Sequence, residues 1–596
     1  MPVRLVSLTL VVAAAAAVAA AAQEPVRETV VVTGHAAPEP FRNLSRAVTV
    51  LTREQIARLP VRSVAEVLQY LASVDVQSRG AMGVQADFSV RGAAFGRTLV
   101  LVNGVRINDT QSGHHNADVP VLLEDVDRIE VLYGPGSSLY GADAFGGTVN
   151  VITRRPGGRK RQLSVSAGQF GFVDGSAAAD VAGGSVAQSV AVSASRSSGF
   201  MPARDFRTLS LASQTAFGRR SSFLVSHVRK DFGANGFYGP SPSRERTNQT
   251  FLLFNHRLIQ TAAWDVSGDL SYRTHGDWFL YDPRAAPPLP NRHRTHAVET
   301  TLKAQRTVSE RMRLNAGSTV GGDWIRSNNL RDHAFARASA FAELQHRVGR
   351  DTLIYPGVRL DAYSNFGWSL SPSLSASSWV SPLVKVRGSL GRAFRIPTFT
   401  ELYYRDPNHE GTPSLQPEHA WEAEAGLDWL AEPGWQGSAS VFARREENVI
   451  DWVRPSALVR WRTTNIRRVD ARGFELGIAH LSSRDGLARV DYAYLDADAG
   501  RVDFLSKYVL DYARHSITGS VSLSLPWRIA LGQRVAYKRR RDRREYWVVD
   551  TRLSRRIGIG DVFVEGSNLL DTAYQEISGV DMPGRWIRAG ISVPAF

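Results

Sequence analysis

The chain has 596 residues, no cysteine and a formal charge of +15, too long for one ordinary soluble domain, yet no linker divides it. Without cysteine there is no disulfide and no lipoprotein-type anchor, so packing and backbone hydrogen bonding must hold an exported chain together. The positive balance suggests nucleic acid in an intracellular protein; on an exported one, anionic lipopolysaccharide or an anionic ligand is the better partner.

Export is read from the first residues. Arg4 precedes an apolar stretch over 5–22 that ends in small residues before Gln23. This is the pattern of a signal peptide cut after Ala22. An uncleaved anchor is the alternative, but alanine dominates the second half and would hold it poorly. No later segment reads as a membrane helix, which leaves a soluble protein or a barrel. Next, Glu28, Thr29, Val30, Val31, Val32 and Thr33 form a short β-prone segment ahead of Gly34 and the breaker at 38–40. By itself it reads as a first strand, or as an exposed strand awaiting a partner's sheet edge.

Residues 36–155 mix helices and strands. Thr52 and Gln55 spell a capping box that opens one short helix. Val64, Val67, Leu68 and Leu71 give a second, over 63–70, its apolar face. Short strands are predicted at 88–90, 98–102 and 128–132, with glycines marking turns between them. From residue 161 onward helical periodicity disappears, and strands of about ten residues alternate in polarity. Over 516–525, Ile517, Val521, Leu523 and Leu525 share one face, and Ser516, Thr518, Ser520, Ser522 and Ser524 the other. An aliphatic face with aromatics near its ends, backed by a small hydrophilic face, suits lipid outside and a wet lumen inside. The texture gives 22 antiparallel strands. Tight links at 217–220 and 556–560 alternate with long ones at 231–246, 276–292 and 395–417, as periplasmic turns and outer loops do.

With these elements placed, the chain resembles the TonB-dependent receptors over nearly its whole mature length. Residues 28–33 resemble the TonB box. Phe88 to Gly92, including Arg91, together with Leu99 to Val105, including Gly104, resemble the first plug motif, with Asn103 where Asp is more usual. Ile129 to Gly136, including Gly134, then 139–141 with Gly141 and 146–152 with Gly147, resemble the second, with Tyr133 replacing a basic residue. Segments 391–397, 401–403 and 415–418 resemble a long outer loop, and 565–571 with Tyr574 a penultimate strand. Phe596 fits an outer-membrane assembly signal, although Ser592 and Pro594, on its face, are less apolar than usual. The resemblance implies an all-β transmembrane barrel over 161–596 filled by an α+β plug over 36–155. It also implies a monomer, lodged in outer-membrane lipid and lipopolysaccharide, coupled to TonB through 28–33. With only the five residues 23–27 ahead of Glu28 in the mature chain, no signalling domain is expected before the box. The expected cargo is a ferric siderophore or cobalamin, since the chain most resembles those receptors. Haem, suggested by His409, is an alternative, as are a glycan or peptide. A passive porin or adhesin needs neither plug motif nor box.

Two plug apices, 78–83 and 108–116, and the outer loops are expected to hold the ligand, with Arg79, Gln111, His114, His115, Phe237, Tyr238, Trp278, Tyr403 and Tyr404 as candidates. Adjacent residues on a strand point apart, so His114 and His115 read as solvated loop histidines and no metal site is assigned. Phe232, Phe237, Tyr238, Trp278, Tyr281, Tyr403 and Tyr404 suit either an aromatic rim for a planar ligand or the girdle at the membrane interface. The basic run 538–544 reads as an outer loop facing lipopolysaccharide phosphates, with a ligand carboxylate or phosphate as the alternative partner. No catalytic constellation and no cofactor motif is found.

Overall fold

The computed structural model describes residues 30–31, 33–157, 161–431, 434–482, 486–542 and 544–594. The signal peptide, Glu28, Thr29, Val32 and the terminal Phe596 lie outside the described residues.

Among the described residues, 22 antiparallel strands form one closed barrel, from Arg161–Gly168 to Trp586–Pro594, which pair with each other to seal it. Each strand is built on the alternation in its sequence. In Val186–Ser197, Val190 and Val192 are 49% and 37% exposed, whereas Ser189 and Ala191, which alternate with them, are buried. The exposed valines face hydrocarbon and the small residues face the lumen. The register of the last strand follows the same rule: Ile587 and Ile591 are exposed, and Ser592 and Pro594 have the opposite parity. Exposed aromatics mark both ends of the apolar band. Phe217, Trp264 and Trp527 stand at one end, beside short turns, and Trp368 and Trp421 at the other, which also carries the long connection 396–417. Strands such as Arg244–Gln260 and Trp461–Leu481 are 17 and 21 residues long, well beyond the roughly 9–11 needed to cross a bilayer. They therefore project beyond the hydrocarbon core and carry lumen-facing side chains above it.

The lumen is filled by residues up to Thr153. A five-stranded sheet runs in the order Val48–Thr52, Val126–Tyr133, Gly147–Thr153, Thr98–Val102, Val105–Arg106, and Val74–Ser78 pairs with Ala86–Val90. Thr52 and Gln55 close the expected capping box on the helix Arg53–Arg58, and Ser63 caps Val64–Leu68. The apolar faces of these helices and strands meet in one core around Val67, Leu68, Val76, Val100 and Val149. Gly147 lies where a Cβ would come within 2.6 Å of Val90 and 2.7 Å of the Leu132 carbonyl, so the central strands pack only with glycine there. At the start of this domain, Val30–Val31 pairs with Glu39–Pro40, and the backbone N–H and hydroxyl of Thr33 both donate to Glu130 at 2.8 and 2.6 Å.

Charge, more than apolar contact, fixes this domain to the barrel wall. Arg91, at φ +50° and buried, reaches Glu422, Glu424 and Glu475 on the barrel at 2.6–2.8 Å. Asp75 is held by Lys538 at 3.0 Å and Arg540 at 3.1 Å. This corrects the reading of 538–544 as a loop facing lipopolysaccharide. Lys538 and Arg540 sit on the strand Ile529–Arg540 at inward positions, so its alternation sends them into the lumen while Arg539 stays exposed.

Candidate functional site

The long connection 396–417 does not stand free above the barrel. Thr398 and Glu401 form a reciprocal capping box on the helix Phe399–Tyr403. A helix leaves its first N–H groups without intrahelical partners, and here they are donated to the plug: Phe399 to the Thr110 carbonyl and Thr400 to the Gln111 carbonyl, both at 2.9 Å. Arg395 ties the loop base to Glu401 at 2.5 Å and also pairs with Glu418. The loop thus becomes one wall of a cavity floored by the plug.

That cavity holds about 1670 Å³ of empty space, a volume that includes solvent open above it. Plug residues 94–97 and 111–115 line its floor, and residues from the connections 234–243, 281–290, 396–417 and 499–512 line its sides. On the floor Phe95 stacks on His114 with centroids 4.3 Å apart, and the Tyr508 ring meets Phe95 edge-on at 5.1 Å. Beneath them Asp87 accepts from Arg79 at 2.6 Å and lies 2.9 Å from Nδ1 of His114. Burial would raise the Asp87 carboxyl, but Arg79 and His114 outweigh it and hold it down at about 2. Burial lowers His114 itself.

Two further histidines meet opposite surroundings. His115 lies 3.5 Å from Asp277, with its ring 4.4 Å from that of His275. Burial would lower it, yet the hydrogen bond and charge of Asp277 push it up to about 10. Across the cavity His409 is held at Nδ1 by Asp406, 3.1 Å away, and at Nε2 by Lys507, 2.9 Å away. Burial, reinforced by Arg79, lowers Lys507 to about 8. The reading of His114 and His115 as solvated is therefore corrected. The short helical turn Gly113–His115 presses both against barrel and loop residues, and His115 is 5% exposed.

The structure brings Gln111, His114, His115, Tyr238 and Tyr404 of the expected ligand residues onto the cavity wall, together with Tyr281. Arg79 lies beneath it, paired to Asp87. Phe237 packs with Phe232 and Trp586 in a separate apolar cluster, and Tyr403 stacks on His333 at 3.7 Å. Trp278 has the opposite strand parity to the buried, lumen-facing Asp277, and its ring is covered by Arg246 at 4.6 Å. Sequence reasoning missed Phe95, Arg97, Glu245, Asp277, Asp451, Lys507 and Tyr508, all on the wall. Glu245, Asp277 and Asp451 had one usable signal: each is a charged residue of inward parity on a strand end that leads to an outer loop.

A closed barrel, an N-terminal domain inside it and a large cavity open above that domain define a plugged outer-membrane receptor. Two family models place it further: "TonB dependent receptor-like, beta-barrel" matches residues 193–569 and "TonB-dependent Receptor Plug Domain" matches 40–148. The chain belongs to the TonB-dependent receptor family, and it is an outer-membrane protein of the Gram-negative type. It is 25% identical over 531 residues to the vitamin B12 transporter BtuB of Photobacterium profundum, covering 85% of this chain and 84% of that one. The BtuB of Vibrio vulnificus strain CMCP6 is 36% identical over 126 residues, 21% of this chain and 20% of its own length. In fold the chain resembles the siderophore receptor PirA of Acinetobacter baumannii, with TM-score 0.76 at 15% identity, covering 93% of this chain and 98% of that one. It also resembles the ferric enterobactin receptor PfeA of Pseudomonas aeruginosa in complex with enterobactin, with TM-score 0.75 at 15% identity, covering 92% and 99%.

Proposed function

We propose that this receptor imports a bulky metal chelate of the cobalamin class across the outer membrane, energised by TonB through residues 28–33. The charge of the cavity carries the choice of cargo. Five carboxylates line it (Glu245, Asp277, Glu401, Asp406 and Asp451) against Arg97, Arg395 and Lys507. Both arginines are already paired to glutamates, and a protonated His115 offsets one further carboxylate. A wall near charge balance, with both arginines already taken, offers little to draw a multiply anionic ferric chelate. It suits a large ligand of little net charge that packs on Phe95, Tyr238, Tyr404, Trp452 and Tyr508. The similarity to BtuB over most of both chains supports the same cargo. A haem reading through His409 is less well supported, because both of its ring nitrogens are engaged.

Energy must come from the inner membrane, since the outer membrane has no nucleotide supply or gradient of its own. A short strand at 28–33 can add to a partner's sheet edge and be pulled. Thr33 is tethered to Glu130 by two hydrogen bonds, so a pull on the segment reaches the plug sheet directly. Calorimetric titration of the purified receptor with cyanocobalamin and with ferric enterobactin tests the cargo. Submicromolar binding of the corrinoid alone is expected, and tight binding of the ferric chelate alone would overturn the choice. Deleting 28–33 should abolish uptake and leave that binding intact.

A further inference from the structure

On one side of the cavity floor, three strand ends and the plug converge. Glu245 lies on Arg244–Gln260, Asp277 on Trp264–Leu280 and His293 on Asn291–Ser309, and Asp277 and His293 are direct ladder partners. Facing them from the plug is His115. One donor atom each from His115, Glu245 and Asp277 lie within 4.8 Å of one another, and all three side chains are buried.

We propose that His115, Glu245 and Asp277 form a binding site for a first-row divalent transition cation of the zinc type, bridging plug and barrel. With metal–ligand bonds of about 2.0–2.1 Å, two ligands of a tetrahedral ion lie roughly 3.3 Å apart. His115 Nε2 and Asp277 Oδ2 are 3.5 Å apart, so an ion that displaces the proton between them seats there with little movement. Asp277 is 8% exposed, and its Oδ1, on the cavity wall, has no hydrogen-bond partner among the described residues. A cation held by both carboxylate oxygens of Asp277 would satisfy that lone pair. Outer contacts orient the ligands: Gln111 donates to Asp277 Oδ2 at 2.7 Å and Tyr238 to Glu245 at 3.1 Å. Such outer bonds fix ligand geometry. Imidazole with two carboxylates suits zinc, cobalt or nickel, whereas calcium and magnesium prefer oxygen alone. Three protein ligands leave a fourth position for a bound chelate or water, and all three residues line the cavity together with His293. The bridge would hold the turn Gly113–His115 against the wall until the plug moves.

The test uses the full chain in detergent, stripped with chelator and titrated with Co²⁺ as a visible-absorption probe. One equivalent should bind with the intense d–d bands of a low-coordinate site, be displaced by Zn²⁺ and raise the melting temperature. Asp277→Asn and Glu245→Gln keep side-chain volume and should weaken binding by roughly tenfold or more, with barrel folding checked by heat-modifiable gel mobility. His256→Ala, on the outer face beside Phe254, should bind as the parent does. Absence of stoichiometric Co²⁺ binding in the parent would overturn the site. So would equal binding in both folded carboxamide variants, or a matching loss in His256→Ala. Corrinoid titration of the same preparation reports separately, because the site does not depend on which chelate the cavity takes.

Discussion

Single residues decide how the plug is seated and how the cavity responds to pH. Arg91 is enclosed by Glu422, Glu424 and Glu475, three carboxylates that are tolerable there only with the guanidinium among them. Breaking a buried ionic cluster from one side costs about 3–5 kcal/mol, because the charges left behind are uncompensated. Arg91→Ala should therefore release the plug at lower urea than the parent, seen as earlier channel opening in planar bilayers; an unchanged midpoint would mean that the cluster does not hold the plug. Lys507 behaves differently. Its buried amine titrates at about 8, below the ordinary lysine value of about 10.4, so the cavity loses a positive charge as pH rises from 7 to 9. An anionic ligand should weaken across that interval and an uncharged one should not. Lys507→Met should lessen the pH dependence, with titrations at pH 7 and 9 as the measurement. None of this was legible residue by residue. A lone lysine in a connection carries no sign of burial, and Arg91 was identifiable only through the motif it shares with the family.

At the scale of elements, sequence and structure agree where a local rule operates and part where a distant contact decides. The Thr52–Gln55 capping box and the alternation at 516–525 are local, and both are present. The run 538–544 has the composition of a loop, but strand parity turns Lys538 and Arg540 inward to meet Asp75, which lies more than 460 positions away in sequence. His114 and His115 read as solvated because nothing nearby in sequence covers them; the cover comes from strands and loops far along the chain. The same holds for the helix Phe399–Tyr403. Its capping box is visible in sequence, whereas the plug carbonyls that receive its first N–H groups are not. Thr398→Ala removes the cap, worth about 1 kcal/mol, and loosens the wall that the loop presents to the ligand. Affinity for the corrinoid should fall by roughly fivefold in calorimetry, with barrel stability unchanged; no change would mean that the loop does not meet the ligand.

For the whole molecule, the interface between plug and barrel combines firmness with the capacity to move. It is rich in ion pairs and hydrogen bonds, and buried ion pairs contribute little net stability relative to apolar packing of the same volume. A plug held in this way can be exchanged for water contacts as it shifts, which an oily interface would resist. If import works by pulling on 28–33, force must travel from Thr33 along the chain into the plug. Ser45 is the place to stop it. Its hydroxyl donates to Ser375 of the barrel at 2.7 Å, and both residues are buried. The chain has no cysteine, so Ser45→Cys with Ser375→Cys offers one disulfide without competitors, in a compartment that permits it. A bond there would ground the chain in the barrel wall ahead of the strand Val48–Thr52, leaving only the Thr33–Glu130 hydrogen bonds to carry the pull into the sheet. Corrinoid binding to the oxidised double variant should match the parent, uptake should cease, and reductant should restore it. Uptake that continued with the disulfide intact would mean that tension along the chain beyond residue 45 is not needed, and extraction of the plug by its N-terminal chain would be wrong for this receptor.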